Sequence, residues 1–206
     1  MALLKNIILD LGGVLLDIDY QKTKMAFENL GFDSFDKMYS QYSADAVFAE
    51  LETGAISNGM FYDIMMERSG GRITQQAIRD AWNAMLLDFR PDSLAFLETL
   101  ASKYSLYLLS NTNAIHLEAF QQIFTAQTQK SSLDDYFSKA YYSHEVGLRK
   151  PNADIFEFVL ADAGIKASES LFVDDSYNNI ETASRLGFQT HLLLSGQKVE
   201  TLEGYW

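Results

Sequence analysis

Four polar clusters close apolar runs in this chain, and their residue types are those that handle phosphate. The first is Asp10, which ends the run Ile7-Ile8-Leu9 and leads into Leu11-Gly12-Gly13. An ionised carboxylate at the edge of an apolar strand is costly to bury unless a cation or a reaction justifies it. The glycines let the backbone come close to whatever that carboxylate touches. Alone, this segment reads as a nucleophile or a metal ligand at the mouth of a sheet. Ser110-Asn111 closes Tyr104 to Leu109, Lys150 stands in a loop after Ala140 to Ser143, and Asp174-Asp175 closes Leu171 to Val173. If the runs are parallel strands, all four ends share one edge and the groups converge. Carboxylates can then hold a hard divalent cation, a lysine can neutralise phosphate oxygens, and a hydroxyl with backbone amides can cradle them. One carboxylate can also attack phosphorus and become an aspartyl-phosphate.

The elements that must position these groups are legible as periodicities. From residue 91 helices and strands alternate. Pro91 opens a helix carrying Leu94, Leu97 and Leu100, a second runs from about Ala114 to Phe124, Pro151 opens a third, and a fourth spans Ile180 to Leu186. Thr190 to Leu194 is the last strand. Both prolines of the chain fall where a helix start tolerates a missing N–H. Such alternation predicts an α/β fold with a doubly wound parallel sheet, whose ligands lie beyond the carboxyl ends of the strands. Residues 20 to 90 read differently, as helices with no convincing strand. Ser34 caps one with Phe35, Met38, Tyr39 and Tyr42, Ser57 caps one with Met60, Phe61, Ile64 and Met65, and Thr74 starts one with Ala77, Ile78, Ala81, Trp82 and Met85.

Composition excludes several classes. With 206 residues, 48% hydrophobic, the chain can build one sizeable core, or a core with a small insert. A formal charge of −12 and the lack of a basic patch argue against a nucleic-acid partner. No run is long enough for a membrane span, no signal peptide is evident, and there is no Cys. A cytoplasmic protein, monomer or homodimer, is the expectation.

In order and spacing, the four clusters resemble the motifs of the haloacid dehalogenase-like hydrolase superfamily. Asp10-Leu11-Gly12-Gly13-Val14 resembles the first motif, Leu108-Leu109-Ser110-Asn111 the second, and Gly147-Leu148-Arg149-Lys150-Pro151 the third. Phe172-Val173-Asp174-Asp175-Ser176 with Asn178-Asn179-Ile180-Glu181 resembles the fourth. The resemblance implies a Rossmann-like core of residues 1–16 and 91–206 with a helical cap of 17–90. Within the superfamily the likeness is to bacterial sugar-phosphate phosphatases of the glucose-1-phosphate type. It implies a small phosphorylated metabolite as substrate, and Mg²⁺ held by Asp10, the Gly12 carbonyl and Asp175, with Asp174 in support. Asp10 is then the nucleophile. Ser110, Asn111, Lys150 and the amides of Leu11 and Gly12 bind phosphoryl oxygens, and His116 is a further substrate contact, though a plain helix-surface position suits it as well. Mg²⁺ and Lys150 would both keep Asp10 ionised. Asn179 either positions the lysine and the motif-four loop or caps a helix, and Asp17 and Asp19 suit hinge or capping roles. His144 and His191 read as structural, and Phe35, Tyr39, Tyr42, Phe48, Phe61 and Trp82 as the cap's own core.

Residue 12 departs from the family pattern. Phosphatases of this kind usually carry there an Asp that protonates the leaving group, and Gly12 has no proton to offer. Loss of a general acid typically costs roughly 10²- to 10⁴-fold in rate. Three alternatives therefore stand beside a phosphatase. A 2-haloacid dehalogenase is opposed by the acid pair at 174–175, a mutase by the missing acid-base, and a catalytically weak regulatory or binding protein by the four intact motifs.

Overall fold

A computed structural model of the chain describes residues 3–40 and 43–202; Tyr42 lies outside them. In chain order the strands are β1 (Asn6–Leu9), β2 (Leu16–Ile18), β3 (Tyr39–Ser40), β4 (Ser43–Ala44), β5 (Leu86–Phe89), β6 (Ser105–Ser110), β7 (Lys139–Tyr142), β8 (Ser170–Asp174) and β9 (Gln189–Leu192). The helices are α1 (Tyr20–Asn29), α2 (Ala46–Glu52), α3 (Asn58–Arg68), α4 (Gln75–Asn83), α5 (Pro91–Ala101), α6 (Ala114–Thr128), α7 (Ser143–Val146), α8 (Ala153–Ala163) and α9 (Tyr177–Arg185).

The expected α/β class holds. Five strands form a parallel sheet in the order β7-β6-β1-β8-β9. The chain winds outward from β1 through β6 to β7, then returns to the other side of β1 for β8 and β9, so its direction of winding reverses beside β1. Ligands of doubly wound sheets bind at such a reversal. Strand periodicity explains why both faces are covered. Ile7, Leu9, Leu106, Leu108, Leu171 and Val173 face one hydrophobic layer, with Leu97, Phe120 and Phe124. Ile8, Tyr107, Leu109 and Phe172 face the other, with Ile155, Phe156 and Val159. Alternate side chains point to opposite faces, and a parallel sheet covered on both sides accepts apolar residues at both.

The residues between β1 and β6 build a separate apolar cluster around Trp82, with Phe27, Phe35, Phe48, Phe61 and Met65. Ser57 and Thr74 cap α3 and α4 as expected, accepting from the Met60 and Ala77 amides. Ile115 of α6 also joins the cluster, so the helical layer is seated on the sheet domain. Among the described residues, no helix is long and apolar enough to cross a membrane.

Three expectations are corrected. Residues 20 to 90 do contain strands. β5 pairs antiparallel with β2, Leu16 opposite Phe89 and Ile18 opposite Leu86, and β3 with β4 makes a two-residue hairpin. The first ribbon forms where the chain leaves the sheet layer and re-enters it, because two adjacent connections can satisfy each other's backbone groups. Ser34 does not cap a helix. It has φ 58° with no side-chain cap bond, and only a 3₁₀ turn, Phe35–Lys37, follows. Here Phe35 stacks on Phe27 at 4.2 Å, and so short a segment gains more from burying that ring than from starting a helix with a costly first turn. Pro151 does not open its helix either: α8 starts at Ala153 after Asn152, and Pro151 sits in the preceding turn.

Candidate active site

The four strand ends do converge. Asp10 follows β1, Ser110 and Asp174 end β6 and β8, and the loop after α7 brings Lys150 beneath them. The Lys150 ammonium is 1% exposed and 2.7 Å from both Asp10 Oδ1 and Asp174 Oδ2, and it donates to the Leu109 carbonyl at 2.8 Å. An ammonium has three protons, and all three are committed within the protein. Lys150 therefore fixes one oxygen of Asp10 and leaves Oδ2 as the oxygen it does not hold. Burial alone would push the Lys150 pKa down, but Asp10 and Asp174 outweigh it and hold it above the usual lysine value.

Asp174 is fully buried and engaged on both oxygens. Oδ1 accepts from the Ser176 amide at 2.8 Å, and the Asn179 amide group reaches both oxygens at 3.0 Å. Asn179 thus positions the motif-four loop and, through Asp174, the lysine. Asn111, expected among the phosphate ligands, uses its side chain otherwise. Its Nδ2 donates to the Lys150 carbonyl at 2.8 Å and its Oδ1 accepts from the Lys150 amide at 2.9 Å, so it clamps the lysine's backbone.

Asp10, Asp174 and Asp175 can each offer a carboxylate oxygen within 4.8 Å of the others. The donors are hard oxygens, the kind Mg²⁺ takes. Both Asp174 oxygens are engaged, whereas Asp10 keeps Oδ2 outside its bond to Lys150. Burial foremost, then neighbouring carboxylates, push Asp10 up to about 7 and Asp175 to about 6. Lys150 pulls Asp10 down but does not prevail. The lysine alone therefore does not keep Asp10 ionised, and a cation beside the pair would relieve the repulsion that raises it.

The two glycines differ. Gly13 has φ +72°, and a Cβ there would lie 2.3 Å from Asp175 Oδ2; any other residue would collide with a candidate metal ligand. A Cβ on Gly12 would meet only Ile18 Cγ1 at 3.1 Å. The Asp10 and Gly13 amides donate to Val173 and Leu16 carbonyls. The Leu11 carbonyl accepts from Val14, Leu15 and Leu16, while the Leu11 and Gly12 amides, between those two, donate in none of these bonds, and both residues line the cavity.

That cavity, about 210 Å³, lies between the sheet edge and the helical layer. Asp10, Ser110, Lys150 and Asp175 form one end. Tyr20, Tyr39, Glu52, Arg149 and His116 also line it. His116 is not a surface residue: it is 6% exposed, stacks on Trp82 at 4.5 Å and bonds the Trp82 carbonyl through Nε2 at 3.1 Å. Burial holds it down to about 4, so the neutral ring donates there. Asp17 pairs with Arg90 at 2.7 Å, and Arg90 also donates to the Gly13 and Val14 carbonyls; Asp19 caps α1. Tyr20 and Glu52 carry no motif, Arg149 stands in the third motif without a role of its own there, and their spacing gives no signal of a shared site.

The haloacid dehalogenase-like hydrolase model matches residues 4–187. The chain belongs to that family. It is 35% identical over 189 residues to D-ribitol-5-phosphate phosphatase of Bacteroides thetaiotaomicron, covering 91% of each chain. A HAD family enzyme of the same organism, solved as a variant with magnesium and inorganic phosphate, superposes with a TM-score of 0.91 at 34% identity, over 97% of this chain and 98% of that one. A HAD-like hydrolase of Porphyromonas gingivalis is 34% identical with a TM-score of 0.86, over 95% and 93% of the two chains.

Proposed function

We propose that this hydrolase is a Mg²⁺-dependent phosphatase of a small sugar or polyol phosphate, working through an aspartyl-phosphate on Asp10. The observation that carries the reading is the Lys150 ammonium between Asp10 and Asp174, with Asp175 completing a cluster of hard oxygens at the sheet's winding reversal. The relative that acts on D-ribitol 5-phosphate and the homologous structure with magnesium and phosphate support it. Dehalogenation is the weaker alternative, because it has no use for the Asp10–Asp175 pair.

In this mechanism Asp10 Oδ2 attacks phosphorus while Lys150 holds Oδ1 in place, and the ester P–O bond breaks so that the leaving oxygen departs and takes a proton from water. Ser110 and the Leu11 and Gly12 amides receive the phosphoryl oxygens. Asp10, Asp175 and the Gly12 carbonyl would hold Mg²⁺, with Asp174 in support through Lys150, and the ion would supply charge neutralisation of phosphate and carboxylates. Asp174, Asn179 and Asn111 keep Lys150 from moving. Water then attacks phosphorus and releases phosphate from Asp10. The helical layer, residues 17–90, covers the cavity and selects the leaving group, while residues 1–16 and 91–206 carry the chemistry. A cytoplasmic monomer or homodimer suits a chain without cysteine.

The test is turnover of a panel of phosphorylated metabolites with Mg²⁺, with chelator, and with Asp10→Asn. Phosphate release should need both the metal and Asp10. Activity that survives chelation or Asp10→Asn would overturn the mechanism.

A further inference from the structure

The cavity also holds an unusual group of side chains. Glu52, at the C-terminus of α2, is 3% exposed. Its Oε1 accepts from the Tyr39 hydroxyl at 2.9 Å, and its Oε2 lies 2.7 Å from Arg149 Nη2. The two charges pair with each other, but two of their atoms are left without a hydrogen bond. Glu52 Oε2 and Arg149 Nε are both buried and lack a hydrogen-bond partner of good geometry. Buried polar atoms left so are costly, and both residues line the cavity.

The placement is built into the chain. Gly54 follows α2 with φ +68°, and a Cβ there would be 2.3 Å from the His144 carbonyl. Only glycine lets the helical layer approach this closely, and the approach brings Glu52 to Arg149, the residue next to Lys150.

We propose that Glu52, Arg149 and Tyr39 form the leaving-group subsite, and that it recognises adjacent hydroxyl groups of a short polyol or sugar chain. This rests on the phosphatase reading above and deepens it. A hydroxyl is donor and acceptor at once, so one hydroxyl donating to Glu52 Oε2 and a neighbour accepting from Arg149 Nε complete both atoms. A second phosphate would meet the Glu52 carboxylate, and an ammonium would meet the Arg149 guanidinium. A bare hydrocarbon would leave both unsatisfied. The cavity is below the roughly 300–1,000 Å³ of sites for drug-sized ligands, which suits a short chain. Glu52 is thereby the specificity-determining residue.

The experiment compares kcat/KM for D-ribitol 5-phosphate and for pentyl phosphate, the same carbon chain without hydroxyls. Wild type, Glu52→Gln and Tyr39→Phe are measured with Mg²⁺, and p-nitrophenyl phosphate reports phosphatase competence. A site built for hydroxyls rejects the analogue lacking them by on the order of 10⁴-fold. Glu52→Gln should shrink that ratio roughly 10- to 100-fold, the strength of a hydrogen bond to a charged group, mostly through the KM of the polyol phosphate. Tyr39→Phe should shift it the same way by less, and it decides the matter if Glu52→Gln does not fold. Equilibrium binding of ribitol 5-phosphate to Asp10→Asn protein should weaken in parallel when Glu52→Gln is added. A wild type that turns over p-nitrophenyl phosphate but does not prefer the polyol, or variants that leave the ratio unchanged, would overturn the subsite. A wild type that hydrolyses no phosphate ester overturns the phosphatase reading and the subsite with it.

Discussion

Replacing Lys150 with Met tests the centre of the site most directly. The variant keeps much of the side-chain volume but removes a buried ammonium whose three donors reach Asp10, Asp174 and the Leu109 carbonyl at 2.7, 2.7 and 2.8 Å. It leaves two buried carboxylates without their cation, a change that typically costs about 3–5 kcal/mol. For a chain this long that is a fall in Tm of roughly 6–20 °C. The loss should depend on pH, and the sign follows from Asp10. Its folded pKa, about 7, lies above the usual 3.8, so between those values the unfolded chain has released a proton that the folded one keeps. Stability from this group therefore falls as pH rises through that window. Without Lys150 its lowering influence is gone, so the folded pKa moves further up and the fall continues to higher pH. Urea unfolding near pH 8 should show the full loss, and near pH 5, where Asp10 is neutral in both proteins, a smaller one. Phosphatase turnover should drop about 10²- to 10³-fold, as for removal of one charge-stabilising donor. A loss under about 1 kcal/mol, typical of an exposed pair, or an equal loss at both pH values would refute the reasoning.

Three further outcomes are expected. Gly13→Ala places a Cβ 2.3 Å from Asp175 Oδ2 at φ +72°; it should lose roughly 1–2 kcal/mol of stability for the left-handed backbone and bind Mg²⁺ at least about tenfold more weakly, and calorimetry showing unchanged affinity would contradict the role given to Asp175. Because Asp10 and Asp175 stand at about 7 and about 6, Mg²⁺ must displace protons below neutrality; its stabilisation in thermal melts should be larger near pH 8 than near pH 5, and an equal increment would count against these carboxylates as ligands. Gly12→Asp should overpack against Ile18 Cγ1, 3.1 Å from the new Cβ, losing about 1–3 kcal/mol, and should raise alkyl-phosphate turnover by at least about tenfold only when combined with Ile18→Ala; no gain in either variant would show that the missing acid is not what limits the rate.

The groups that converge on the sheet edge were legible because a parallel sheet turns a one-dimensional pattern into a place. A polar residue ending each apolar run must lie at the carboxyl edge once the runs alternate with helices, however far apart they stand in sequence. Asp10, Ser110 and Asp174 needed nothing more, whereas Lys150, which follows α7, needed its motif as well. What each does there was less legible, because it depends on which hydrogen bonds are already taken. The motif cannot say that Asn111 clamps the Lys150 backbone, or that Lys150 has no uncommitted proton. The β2–β5 ribbon escaped notice because its pairing partners are some 70 residues apart and each strand is too short to show a period. The helix expected after Ser34 failed because Phe35 answers to Phe27, not to its neighbours in sequence. Glu52 and Arg149 meet only through the docking of one layer on another, and no local pattern carries that.

The open question at Gly12 is where a leaving group would find a proton, and the cavity narrows the answer. Five titratable side chains besides Asp10, Lys150 and Arg149 line it. Tyr39 is pushed well above the usual phenol range by burial first, and its hydroxyl donates to Glu52 Oε1, so it keeps its proton. His116 is held down to about 4 and its Nε2 proton is directed to the Trp82 carbonyl, so near neutral pH it has no proton to transfer. Tyr20 is pushed well above the usual phenol range, by burial first and then by the surrounding carboxylates; it can donate a hydrogen bond but holds its proton too tightly to give it up. Glu52 is raised by burial, yet its oxygens face a hydroxyl donor and a guanidinium, which favour the charged, acceptor form. Asp175, at about 6, is nearest to neutrality, but a metal ligand must be deprotonated to serve. None of the five has a proton it can readily transfer near neutral pH. In the proposed mechanism the burden therefore passes to the leaving group and to water in the cavity. An oxygen that departs as a weak base, such as an anomeric one, needs little help, whereas a primary alkoxide needs much. Gly12 thus sets a second filter beside the polyol subsite, one on how readily the ester bond breaks, which ribitol 5-phosphate and pentyl phosphate, both primary esters, meet equally.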